Sequence, residues 1–165
     1  MAKKISKRAR ITGKGESGAF IMLRKDVLAS ANYLRLSPHA VKLFLDLYGQ
    51  YNGFNNGDFC AAWKLMRPRG WRSKATLHKS LRELLWYEVI VLTRQGGKNL
   101  CSLYGVTFNQ IDECKGKLNI RPGPALGTWR TPKEAFDLDP ACKHGPGWTR
   151  SKLPAPSSGA TSPTA

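Results

Sequence analysis

The sequence predicts an α+β domain over residues 23–120, with a three- to four-helix core and a β-hairpin, flanked by tails without a core of their own. Three observations lead there. Two helix-period apolar stripes each follow a serine suited to cap a helix, at Ser37 and Ser73. A β-branched run, Val89-Ile90-Val91-Leu92-Thr93-Arg94, is followed by the turn Gln95-Gly96-Gly97-Lys98-Asn99 and a second alternating run from Leu100 to Phe108. Proline is displaced to one end, eight of ten lying at or after Pro122.

Taken in order, Asp26 to Leu34 reads as a short amphipathic helix with Val27, Leu28, Ala31 and Leu34 on one face. Ser37-Pro38 pairs an N-cap with proline at the first helical position, a strong start signal. The helix that follows offers Val41, Phe44, Leu45 and Tyr48, widened by Leu43, Leu47 and Tyr51, and ends at Asn52-Gly53. The loop Asn52 to Asp58 holds two Asn-Gly pairs and reads as a cap and turn into a short strand. A short helix is expected over Cys60 to Met66, ended by Pro68. After Ser73, Leu77, Leu81, Leu84 and Leu85 mark one face of a helix from Lys74 to Trp86. Its opposite face presents Lys74, His78, Lys79, Arg82 and Glu83. A last short helix is expected near Gln110 or Asp112.

Charge bounds the function. The chain of 165 residues carries 27 Lys and Arg against 11 Asp and Glu, a formal +16. That excess is uneven: residues 1–23 carry +5, residues 24–60 only +1, residues 61–101 carry +7, and the remainder +3. A positive balance of this size points to nucleic acid as the partner. The longest apolar stretch, Leu84 to Leu92, contains Glu88 and falls far short of the ~20 residues a spanning helix needs, so no membrane is expected. The basic N-terminus is not followed by a signal-peptide apolar run, and Cys60, Cys101, Cys114 and Cys142 show no CxxC pairing, which points to a cytoplasmic, nucleoid-associated chain. Residues 1–22 read as a flexible basic arm. Residues 121–165, rich in Pro, Gly and Ser, read as a largely disordered tail, with Trp129, Phe136 and Trp148 as possible anchors.

The order of helix, short strand, short helix, turn, basic helix and basic hairpin resembles the winged helix-turn-helix superfamily over about residues 26–110. Ser73-Lys74-Ala75-Thr76-Leu77-His78-Lys79-Ser80-Leu81-Arg82-Glu83-Leu84 looks like its recognition helix, and Leu85-Trp86-Tyr87-Glu88-Val89-Ile90 like the passage into its wing. Tyr51-Asn52-Gly53-Phe54-Asn55-Asn56-Gly57 and Tyr104-Gly105-Val106-Thr107-Phe108 resemble small helix-turn-helix proteins of prophages and plasmids. The resemblance implies sequence-specific binding of double-stranded DNA, as in transcriptional regulation in a bacterium or on a mobile element. Ser73, Lys74, Thr76, His78, Lys79 and Arg82 would face the major groove, and Arg67, Arg69 and Arg72 the phosphates near the helix start. Arg94 and Lys98 would serve at the hairpin tip, with Lys3, Lys4, Lys7, Arg8 and Arg10 as arm contacts. Pro68-Arg69-Gly70-Trp71-Arg72 is longer and bulkier than the family's usual turn, and Trp71 either packs beneath the helix, the favoured reading, or stacks against nucleic acid.

Other signals are weaker. Gly13-Lys14-Gly15-Glu16-Ser17-Gly18 matches a dinucleotide fingerprint but lacks the preceding strand. Cys142-Lys143-His144 supplies two ligand types where a structural zinc needs four. No nucleophile signature and no paired carboxylates stand out, so no enzyme, cofactor or metal is expected. The residues leave open a plasmid or phage replication protein binding an origin, a winged-helix adaptor contacting a protein through its C-terminal tail, an RNA-associated basic protein, and a homodimer.

Overall fold

A computed structural model describes residues 20–136. Five α-helices lie over this span: α1 (Lys25–Leu28), α2 (Ala31–Leu34), α3 (Pro38–Tyr48), α4 (Trp63–Met66) and α5 (Lys74–Trp86). With them go three strands, β1 (Phe59–Cys60), β2 (Ile90–Arg94) and β3 (Leu103–Val106), which form an antiparallel sheet in the order β1-β3-β2. The class is α+β. Single 3-10 turns cover Arg67–Arg69, Cys114–Gly116 and Thr128–Arg130, the second standing where a short helix was expected near Asp112.

The first expected helix is in fact two single turns. Ser30 breaks it: its Oγ donates to the Val27 carbonyl at 2.7 Å and accepts from the Tyr33 N–H at 3.2 Å, which restarts the helix at Ala31. The restart rotates the second turn, so Leu34 is exposed and Asn32 points into the core. In α3, Ser37 caps through its Oγ, which accepts from the Ala40 N–H at 3.3 Å. This helix buries Ala40, Leu43, Phe44, Leu47 and Tyr48, while Leu45 lies outside the buried stripe. Phe44, Tyr48 and Phe108 meet as one aromatic cluster, with ring centroids 5.3–6.1 Å apart.

Strand β3 is central and shorter than the expected run from Leu100 to Phe108. It pairs Tyr104 with Phe59 and Leu103 with Cys60 on one side, and Val106 with Ile90 and Tyr104 with Leu92 on the other. Both of its faces are covered. Tyr104 and Val106 join the helical core; the opposite face meets the loop after α3. Asn56 in that loop is fully buried. Its side-chain amide imitates a strand, the Oδ1 accepting from the Val106 N–H at 2.8 Å and the Nδ2 donating to the carbonyls of Val106, Asn109 and Gln110. A Cβ on Gly105 would stand 3.0 Å from the Gly57 nitrogen, so this approach requires glycine.

The ordered domain does not stop at residue 120, where the tail was expected to begin. Ile111 and Gly123 exchange both backbone hydrogen bonds, at 2.8 and 3.0 Å, and Trp129 is only 3% exposed. Asn32 holds the returning chain. Its Nδ2 donates to the carbonyls of Tyr87, Trp129 and Thr131, and its Oδ1 accepts from the Lys133 N–H at 2.8 Å. The composition of 121–136 forbids a helix or strand of its own, but its backbone groups find partners on the domain and its aromatics find burial. The expected anchoring by Trp129 and Phe136 is present; Phe136 packs against Trp86. The N-terminal arm to residue 19, with Lys3, Lys4, Lys7, Arg8 and Arg10, lies outside the described residues, as do the Gly13–Gly18 motif, the Cys142/His144 pair and everything beyond Phe136. Among the described residues no helix is long and apolar enough to cross a membrane.

Replacing Asn32 by Ala strands four backbone groups at once, those of Tyr87 and Trp129 in buried bonds and those of Thr131 and Lys133 in part-buried ones. The variant is expected to lose about 3 kcal/mol of unfolding free energy in urea titration and to become open to proteolysis between residues 121 and 136.

Candidate nucleic-acid interface

Helix α5 spans the residues the sequence predicts, and its orientation follows from what it buries. Leu77, Ser80, Glu83 and Leu84 face inward. Because successive residues turn by about 100°, Lys74, His78 and Arg82 then form one outward ridge at a four-residue spacing, with Lys79 beside it. Lys74, His78 and Lys79 are exposed, and Arg82 is half-buried. Ser73 caps the helix, its Oγ accepting from the Thr76 N–H at 3.3 Å. Thr76 is half-buried, and its carbonyl accepts from the Ser80 hydroxyl at 2.9 Å.

Glu83 does not belong to the outward face where it was expected. It is 4% exposed and accepts twice from Ser37, from the backbone N–H at 2.5 Å and from the hydroxyl at 2.7 Å. The carboxylate therefore sits at the N-terminus of α3, where the helix dipole favours negative charge.

The turn into α5 is held by Asp46, near the end of α3. Its Oδ2 accepts from the Trp71 indole N–H at 2.8 Å and from the Lys42 ammonium at 2.7 Å. Arg69 completes the cluster, its Nη1 donating to the Asp46 carbonyl at 3.1 Å and lying 3.6 Å from Oδ1. Trp71 is buried, as expected, with Lys42 over its ring at 5.2 Å. The turn is also tighter than it looked. The 3-10 turn runs through Pro68, and Gly70 at φ +89° reverses the chain as only glycine does readily.

Two of the expected contact residues are engaged internally. Arg69 links the turn to α3. Arg94 ends β2 opposite Leu103, at the last strand pair before the hairpin loop, but its Nη2 donates to the Cys101 carbonyl at 3.2 Å. A register shift between Leu92 and Arg94 precedes this pair. Lys98 is at the tip and exposed. One further cation was overlooked: Lys64, exposed on α4, whose helix was read only for its inward Trp63 and Met66.

The electrostatics sharpen accordingly. Residues 61–101 contain two acidic groups, Glu83 and Glu88. The first is buried against Ser37, and the second is paired with Lys133 at 2.9 Å. Among the described residues, Lys64, Arg67, Arg72, Lys74, Lys79, Arg82 and Lys98 take part in no ion pair. Lys74 reaches back over the Trp63 ring at 5.8 Å, which ties α4 to the start of α5. The far end of α5 is covered, since the Trp86 indole donates to the Glu134 carbonyl at 3.0 Å. The open basic surface is thus the first three turns of α5, the turn before it and the hairpin tip. No protein family, no curated protein and no solved structure matches this chain.

Asp46→Ala removes the acceptor of a buried indole N–H and two cationic partners. It is expected to cost about 2 kcal/mol in chemical unfolding, and to quench or shift the Trp71 fluorescence before the global transition as the turn loosens.

Proposed function

We propose that this chain is a winged helix-turn-helix protein that binds double-stranded DNA sequence-specifically and serves transcriptional regulation in a bacterium or on a phage or plasmid. Helix α5 enters the major groove, and the β2–β3 hairpin is the wing. The observation that carries the proposal is the one-sidedness of the charge on α5. Its cations take part in no ion pair among the described residues, while its only carboxylate is buried against another helix. Solubility alone requires no such separation.

Two features support the reading. A helix with its side chains is about 10–12 Å across and the major groove about 12 Å wide, so the open turns of α5 fit it. In the order β1-β3-β2 the hairpin carries a short strand from the α3–α4 connection along its edge. Lys74, Thr76, His78 and Lys79 supply donors toward base edges. Arg67, Arg72, Ser73 and Lys98 supply contacts to phosphate, and Arg82 reaches either. Arg69 and Arg94 act by holding the turn and the hairpin in place.

The double substitution Lys74→Glu, Lys79→Glu is expected to abolish binding to duplex DNA with the circular dichroism spectrum unchanged; undiminished binding moves the site elsewhere. Neutralising six to eight phosphates gives a slope of roughly −5 to −7 for log K against log salt. Lys98→Ala is expected to flatten that slope by about one. Selection from random duplexes, with the recovered site mapped to a promoter or to an origin, distinguishes a regulator from a replication protein.

A further inference from the structure

The outer face of the sheet brings two cysteines to one corner. Cys60 ends β1 and pairs in register with Leu103, and Leu103 pairs on its other side with Arg94. Directly opposed residues share a face, and side chains alternate along a strand. Cys101 lies two residues before Leu103, in the loop that leads into β3. The guanidinium of Arg94, the other partner of Leu103, donates to the Cys101 carbonyl at 3.2 Å and stands 3.9 Å from the Cys101 Sγ. Both sulfurs are free thiols.

The two thiols differ in a way that suits a sequence of steps. Cys101 is exposed, in the loop that leads into β3, with a cation beside its sulfur. Cys60 is buried. Burial pushes its thiol up to about 11, against the Ala62 N–H and with Cys101 adding to the rise. Cys60 is therefore protonated at neutral pH and meets oxidant last. The two thiols are near enough for Cys101 to act on Cys60, and a disulfide needs about 4.4–6.8 Å between their Cα atoms.

We infer that Cys60 and Cys101 form a peroxide-sensitive dithiol pair, whose disulfide ties the β2–β3 hairpin loop to the edge strand β1. The Cys101 thiolate attacks one peroxide oxygen: the S–O bond forms, the O–O bond breaks and hydroxide leaves, giving the sulfenic acid. The Cys60 sulfur then attacks the Cys101 sulfur. The S–S bond forms, the S–O bond breaks, and the leaving hydroxide takes the Cys60 proton as water. Two electrons pass from the pair of sulfurs to the peroxide. Arg94 bonds the Cys101 carbonyl, so the bridge also fixes the arginine at the end of β2.

The test treats the full chain with hydrogen peroxide, blocks residual thiols and maps peptides without reduction. The expected product is a Cys60–Cys101 linked peptide that dithiothreitol reverses, absent from Cys60→Ser and from Cys101→Ser. Cys60→Ser leaves Cys101 to proceed to sulfinic and sulfonic acid, whereas Cys101→Ser leaves Cys60 a thiol. Recovery of Cys60 as a free thiol beside overoxidised Cys101 in the unsubstituted chain overturns the inference. Linkage of Cys101 to Cys114 or Cys142 in place of Cys60 overturns it too. The decisive measurement is on the unsubstituted chain, so misfolding of a variant does not obscure it. It requires no DNA, so its outcome is separate from that of the DNA-binding proposal.

Discussion

A buried carboxylate organises the helical half of this protein. Glu83 accepts both the backbone N–H and the hydroxyl of Ser37, at the N-terminus of α3. A carboxyl group at 4% exposure is costly unless hydrogen bonds offset its desolvation, and here Ser37 supplies two. The contact joins the start of α3 to the last turns of α5. At the other end of α3, Asp46 holds Trp71, just ahead of the first turn of α5. Helix α5 is thus gripped at two points along an antiparallel partner. Its rotation about its own axis follows, and with Glu83, Leu77 and Leu84 inward the ridge of Lys74, His78 and Arg82 is turned away from α3.

The other half depends on side chains that stand in for backbone. Asn56 and Asn32 are each fully buried and each uses both ends of the amide. Asn56 closes the strand side of β3, where a further strand would otherwise be needed. Asn32 ties down residues 129–133, a segment with no ladder of its own. A sheet with strands of two, five and four residues leaves many backbone groups to satisfy, and these two asparagines serve the places where regular pairing stops. The same clamp brings Phe136 and the Glu134 carbonyl onto Trp86, which limits how much of α5 remains open.

Structure and proposed function meet in the separation of charge. The acidic groups near α5 are drawn into internal roles, and so are two of the arginines, Arg69 and Arg94. What remains outside is a smaller set of cations than composition suggests, but one confined to a single helix face, the turn before it and the hairpin tip. The proposed dithiol pair lies beside the hairpin loop, where Arg94 bonds the Cys101 carbonyl.

Much of this was legible in the chain itself. Ser37-Pro38 and Ser73 mark where α3 and α5 start, because capping is a local matter of a side-chain oxygen and the first free N–H groups. The ends of α5, the hairpin and the burial of Trp71 follow from spacing and from turn residues. What only the tertiary structure decided concerns polar groups whose partners lie far away in sequence. Glu83 reads as one more surface charge until Ser37 arrives 46 residues away. Asn32 sits on the polar side of a short helix until the chain returns 97 residues later. Residues 121–136 read as tail because their own composition supports no element, and they are ordered by donors and apolar surface supplied from elsewhere. Local pattern determines which elements form. Long-range satisfaction of buried polar groups determines how they are turned, and so which cations are left outside.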